Sequence, residues 1–188
     1  MRAEYENVLD DHLGKIHFTY VNTWDELLPA HWHEHLEIIY VLGGEITASI
    51  NDVSYELEKG DIFLVNSNDI HYTYTHEDAR YYLLQIPPVH LERISAKWKG
   101  LKFQEVIRSK SADACVQGEQ LENVQGKGLV EMRENRKSTN RADDLYDQLR
   151  DVFRKIAGFY EVKKEGYHLL VLSAVYRLLY FLYTEGIR

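Results

Sequence analysis

The sequence is poor in cross-linking and chain-breaking residues, with one cysteine, Cys115, and three prolines in 188 residues. A lone thiol cannot close an internal disulfide, so the fold must be held by its core, and nothing points to an oxidising compartment. Positive charge is also short. Lys and Arg number 22 against 30 Asp and Glu, for a net charge of −8. Binding a phosphate backbone needs a clustered positive surface, so this balance argues against direct contact with nucleic acid. It leaves room for a basic DNA-binding unit elsewhere in the same gene product. The longest apolar stretch, Leu169 to Tyr183, is short for a bilayer and carries Arg177. The opening residues, MRAEYENVLDDHLG, are too polar for a secretory signal. A cytoplasmic protein without membrane contact is therefore expected. Nucleotide-binding glycine loops and nucleophile elbows are missing too. Gly43-Gly44 falls in a turn between strands, and Gly126-x-Gly128 lacks the following helix that a phosphate site needs. Cys115 has no local partner that would make it a nucleophile.

What is present is an apolar share of 45%, enough for a core, arranged in two successive patterns. From about Lys15 to Pro88 the chain reads as short strands between turns. In EITASI, residues 45–50, Ile46, Ala48 and Ile50 alternate with Glu45, Thr47 and Ser49, the period of a half-buried strand. VSYEL follows after Asn51-Asp52, a pair that suits a tight hairpin because both residue types tolerate positive φ. IFLV, IHYTYTH and ARYYLLQI continue the series up to Pro87-Pro88. Many strands without intervening helices predict an antiparallel barrel or sandwich. Residues 109–140 are polar and without period, and read mostly as loop. Two helices follow. Leu145, Leu149, Val152, Phe153, Ile156 and Phe159 share one face of the first, and Gly166 separates it from YHLLVLSAVYRLLYFLY, residues 167–183. The second helix is apolar nearly all round, which predicts burial on two sides and hence a homodimer through it.

The sharpest local signal is HWHEHLEIIYVLGG, residues 31–44. In one regular strand His31, His33 and Glu37 would share a face, with His35 between them and Trp32 on the other side. Two imidazoles and a carboxylate converging on a point suit zinc, iron, nickel or manganese, and His71 offers a fourth donor from a later strand. The plainer alternative is a hydrogen-bonded polar lining with no metal. On the 79–86 strand, Tyr81, Leu83 and Gln85 share one face and Tyr82, Leu84 and Ile86 the other.

These residues resemble the cupin superfamily. Its first motif, His-x-His, three residues, Glu, six residues, Gly, is met by His31, His33, Glu37 and Gly44. Its second places a histidine eleven residues after a glycine, as Gly60 and His71 do. The first motif's leading glycine falls at Asp25, and Asn66, Asn68 and Thr75 stand where the second has proline, glycine and asparagine. The wider string, from His31 to about Pro88, is similar to the N-terminal effector-binding domain of AraC-family transcription regulators. That resemblance implies a mainly β fold: a cupin-like double-stranded β-helix, or jelly-roll barrel, followed by two C-terminal α-helices. It divides the chain into a sensor barrel (1–108), a mostly looped stretch (109–140) and a two-helix dimerisation and linker segment (141–188). It implies a small-molecule effector, such as a sugar, held by His31, His33, Glu37, His71, Tyr81 and Gln85. DNA would be reached only through a helix-turn-helix half that this sequence is expected to lack. The same four donors, His31, His33, Glu37 and His71, carry the alternative reading, a stand-alone metal-dependent cupin enzyme of dioxygenase or isomerase type.

Overall fold

Residues 3–8, 16–94, 98, 100–108 and 141–185 are described in the structure, a computed structural model. The stretch 109–140, expected to be mostly loop, lies outside the described residues, as does Cys115. The described strands are β1 (Glu4–Tyr5), β2 (His17–Thr23), β3 (Glu26–Trp32), β4 (Leu36–Gly43), β5 (Ile46–Ile50), β6 (Val53–Leu57), β7 (Ile62–Val65), β8 (His71–Thr75), β9 (Ala79–Ile86) and β10 (Val106–Ile107). The helices are α1 (Pro88–Ile94), α2 (Arg141–Val162) and α3 (Tyr167–Glu185).

The strands form two five-stranded sheets, ordered β1-β3-β8-β5-β6 and β10-β7-β4-β9-β2. From β3 to β9 the chain changes sheet at every connection except the β5–β6 hairpin. This alternation makes a mainly β, jelly-roll-like barrel. The hairpin turns on Asn51 and Asp52, both at positive φ (48° and 68°), as their side chains permit.

The second sheet is buried on both faces, which explains why β4 reads as an almost unbroken apolar run. Its inner face supplies Ile39, Val41, Phe63 and Val65, which meet Ile46, Ala48, Ile50 and Leu57 of the first sheet inside the barrel. Its outer face supplies Phe18, Leu36, Ile38, Tyr40, Ile62, Leu64, Leu84 and Ile86 to a larger cluster shared with α2 and α3. The helices are thus covers for one wall of the barrel.

A short helix, α1, follows β9 where only a stop was expected. The Pro87-Pro88 pair does both jobs. Proline ends a ladder by lacking an N–H, and Pro88 is the first residue of α1, where that missing donor costs nothing. In α3, Val171, Ala174, Val175, Leu178, Leu179 and Leu182 are buried. Leu169, Tyr176, Tyr180 and Tyr183 remain exposed along the opposite side. Among the described residues no helix is long and apolar enough to cross a membrane.

Candidate ligand and metal site

Two register pairs build the site. In the first sheet His31 of β3 lies opposite His71 of β8. In the second, Glu37 of β4 lies opposite Gln85 of β9. Glu37 shares the inward parity of Ile39 and Val41, and Gln85 that of Leu83 and Tyr81, so both point into the barrel. His33 sits between the sheets. One regular strand carrying His31, His33 and Glu37 is not what forms. β3 ends at Trp32, and residues 33–35 carry the chain across to β4 at Leu36. A register shift between Leu28 and His31, around Pro29, has already broken the alternation. The Asn68 N–H donates to the His33 carbonyl at 2.9 Å and pins the crossing. The three residues meet because the chain changes sheet, not because they share a strand face.

Each imidazole is aimed by a backbone carbonyl. Nδ1 of His31 donates to the Pro29 carbonyl at 2.8 Å, Nδ1 of His33 to the His35 carbonyl at 3.2 Å, and Nδ1 of His71 to the Asp69 carbonyl at 3.0 Å. A carbonyl only accepts, so each Nδ1 carries a proton and each ring presents Nε2 to the other groups of the cluster. Those ring nitrogens lie within 4.8 Å of one another. Glu37 joins them, with Oε2 3.0 Å from His33 Nε2 and Oε1 3.8 Å from His71 Nε2. Gln85 Nε2 donates to Glu37 Oε2 at 2.9 Å. His33 and His71 are each 1% exposed, and His31, Glu37 and Gln85 are also buried.

Burial disfavours the Glu37 carboxylate, but the His33 hydrogen bond, the facing imidazoles and Gln85 outweigh it and hold its pKa at about 2. Burial likewise opposes charge on His33, yet its bond to Glu37 and the charges of Glu37 and Glu6 raise its pKa. For His71, burial wins and the pKa falls. Charge is therefore favoured on His33, beside Glu37, and disfavoured on His71. Its Nε2 is buried without a hydrogen-bond partner among the described residues.

The structure adds one group that sequence reasoning missed. β1 lies parallel to β3, with Glu4 opposite His31, and the Glu6 N–H donates to the Trp32 carbonyl at 3.0 Å. This places Glu6 Oε2 3.7 Å from Nε2 of both His31 and His33, within 3.4 Å of Gln85 Nε2. A two-residue strand has no period to read, so nothing in the sequence marked Glu6. A cavity of about 390 Å³ reaches Glu6 and His31 from the surface. Tyr81 packs with the barrel interior, and burial, reinforced by the charges of Glu37 and Glu26, pushes its hydroxyl up to about 12. Trp32 packs edge-on against Tyr5, with ring centroids 4.9 Å apart, and the half-buried His35 ring lies 5.9 Å from that of His33.

The departures from the cupin pattern keep the geometry. Asp25 and Asn68, at the two glycine positions, have φ of 46° and 65°, in the left-handed region that Asp and Asn tolerate best after glycine. Asn66, in place of proline, donates to the Phe103 carbonyl and accepts from the Phe103 N–H at 2.7 Å. The Thr75 hydroxyl bridges the Glu26 N–H and carbonyl, both at 3.2 Å.

The sequence profile of the AraC-like ligand binding domain matches residues 14–179. The chain belongs to this family. Solved structures similar to this AraC-like domain include an RmlC-like cupin from Shewanella frigidimarina NCIMB 400, at 20% identity over 38% of this chain and 66% of that one, with a TM-score of 0.37. KdgF from Halomonas sp. matches at 23% identity over 38% of this chain and 68% of its own, TM-score 0.36. A predicted oxalate decarboxylase from Thermotoga maritima matches at 22%, over 37% and 64%, TM-score 0.35. Likeness at this level carries no functional weight. No curated protein matches the chain.

Proposed function

We propose that this AraC-like domain senses a small, oxygen-rich effector, a sugar or a related hydroxy acid, at the mouth of the barrel over His31, His33, Glu37 and His71. The observation that carries the reading is His71 Nε2, buried among polar groups in an apolar barrel with no hydrogen-bond partner among the described residues. Such a group costs free energy unless something pairs with it. The donor set fits a divalent transition metal: three imidazoles that converge, each ring fixed through Nδ1 in the manner of metal-ligating histidines, with the Glu37 carboxylate beside them, His33 Nε2 exchanging its bond to Glu37 for the metal. Bound there, zinc, nickel, iron or manganese would act as a Lewis acid that anchors effector oxygens. Gln85 and the protonated Tyr81 hydroxyl would supply the flanking hydrogen bonds. Membership of a ligand-binding family favours sensing over turnover by a metallocupin.

The test is metal analysis of protein purified without a histidine tag, followed by calorimetric titration with sugars and hydroxy acids. Metal lost in His33→Ala and Glu37→Ala, together with effector affinity, supports the reading. An effector bound with unchanged affinity in both variants would move recognition elsewhere. Steady turnover of the bound compound would favour the enzyme instead.

The response would pass through a homodimer built on the exposed side of α3, to a helix-turn-helix unit joined to this domain. A ligand shifts such an arrangement only by binding one state better than the other.

A further inference from the structure

Outside the barrel, between the second sheet and α2, lies a cleft of about 570 Å³. Its floor is the outward face of the sheet at Tyr40 and Tyr82, and its walls are the Lys59-Gly60 turn and one face of α2. That face presents residues 146, 150, 154, 157, 158 and 161, a helical spacing that runs along most of α2. The volume lies in the range of small-molecule sites.

Three features of the cleft are unmet by the chain itself. Lys59, Arg150 and Arg154 line it with a single carboxylate among the lining residues, Glu161, in a molecule whose net charge is −8, and Arg154 has only the exposed Asp151 at 4.0 Å as an ion-pair partner among the described residues. Arg150 Nε is buried without a hydrogen-bond partner among the described residues, although its outer nitrogens reach Asp147 at 2.9 Å and Asp151 at 3.6 Å. Both aspartates are more than half exposed, so water weakens their claim on the guanidinium. Finally, Gly158 stands inside α2, where glycine is unfavourable beside alanine, and a Cβ there would meet nothing within 4 Å. Packing does not require this glycine. It leaves the cleft open next to Ala157, above the tyrosine rings.

We propose that this cleft is a second ligand site, for a small organic oxyanion with a flat or apolar body. The oxyanion would meet the exposed part of the Arg150 guanidinium and the charges of Arg154 and Lys59, since guanidinium forks recognise carboxylate and phosphate alike. The body would lie over Ala157, Gly158 and the Tyr82 ring. An occupant would touch the barrel and α2 together, a position independent of the histidine cluster.

The experiment uses the intact chain and the aromatic sulfonate 8-anilinonaphthalene-1-sulfonate as a fluorescent probe. The probe should bind saturably, and phenyl phosphate or benzoate should displace it. Displacement by only one of the two identifies the oxyanion. Gly158→Met, whose Cβ would meet nothing within 4 Å and whose flexible side chain would extend into the cleft, should weaken probe binding at least tenfold while leaving the melting temperature no lower. Arg150→Gln with Arg154→Gln should do the same, with loss of the salt dependence. Leu27→Gln, on the far sheet, should change nothing. Unchanged binding in a folded Gly158→Met or in the arginine variant would overturn the proposal. So would failure of both oxyanions to displace the probe, or loss of binding in Tyr180→Glu, which would place the probe on α3.

Discussion

Inside the barrel, carbonyls of Pro29, His35 and Asp69 hold three imidazoles, with the carboxylates of Glu37 and Glu6 beside them. Without a metal, the excess proton belongs to His33, whose pKa is raised by Glu37 and Glu6 against its burial. Coordination needs that nitrogen bare, so uptake of zinc at the site at pH 6.5 should release protons from it. Calorimetric heats in buffers of different ionisation enthalpy read this directly, and uptake without release would remove His33 from the ligand set. Glu37 makes a second prediction. Its folded pKa of about 2 lies below its ordinary 4.5, so its contribution is complete above pH 4.5 and fades as pH falls towards 2. The linkage amounts to about 3 kcal/mol. Acid unfolding of metal-free Glu37→Gln should therefore be less steep over that interval than in the wild type, whereas an equal slope would mean Glu37 is not held as an anion. His31, His33, Glu37, His71 and Gln85 were all legible in sequence because motif spacing or strand parity marks them. Glu6 was not, since its role depends on a parallel pairing between β1 and β3 that no local pattern encodes.

Among the elements, β5, β6, β7 and β9 lie close to where alternation and turn residues put them. The break between β3 and β4 lies at His33-Glu34-His35, three polar residues in a row where the alternation lapses and the backbone turns, although His31, His33 and Glu37 keep the even spacing of a single strand. The apolar character of α3 was plain, but its division into two faces was not. Leu179 is fully buried within the chain, while Leu169 and Tyr180 are 63% and 62% exposed. Leu169, Ser173, Tyr176, Tyr180 and Tyr183 repeat at alternating steps of four and three, the spacing of a helix–helix seam. Tyr180→Glu and Leu169→Glu should thus yield a folded monomer by sedimentation, with the wild type a dimer at micromolar concentration. Leu179→Ala should instead cost about 2–5 kcal/mol and leave the assembly state unchanged. A wild-type monomer, or a Tyr180→Glu dimer, would assign α3 another role.

Taken as one molecule, the barrel and the helices share a single apolar cluster that runs from Phe18 and Ile38 to Leu178 and Leu182. Parts joined by so much common core should melt together, and calorimetry should show one transition. Two resolved transitions would mean the α2–α3 pair is a separate folding unit. The net charge of −8 predicts that the chain alone gives no salt-sensitive gel shift with DNA. The register that joins the histidine cluster also dictates when it can exist. Gln85 and Glu37 are 48 residues apart, and Gln85 and Glu6 are 79 apart. Closing such loops is slow, and no partial hairpin holds more than a fragment of the donor set. The pocket is then among the last things to appear on the folding clock. Zinc present from the start should leave the refolding half-time as it is and slow only the reverse journey.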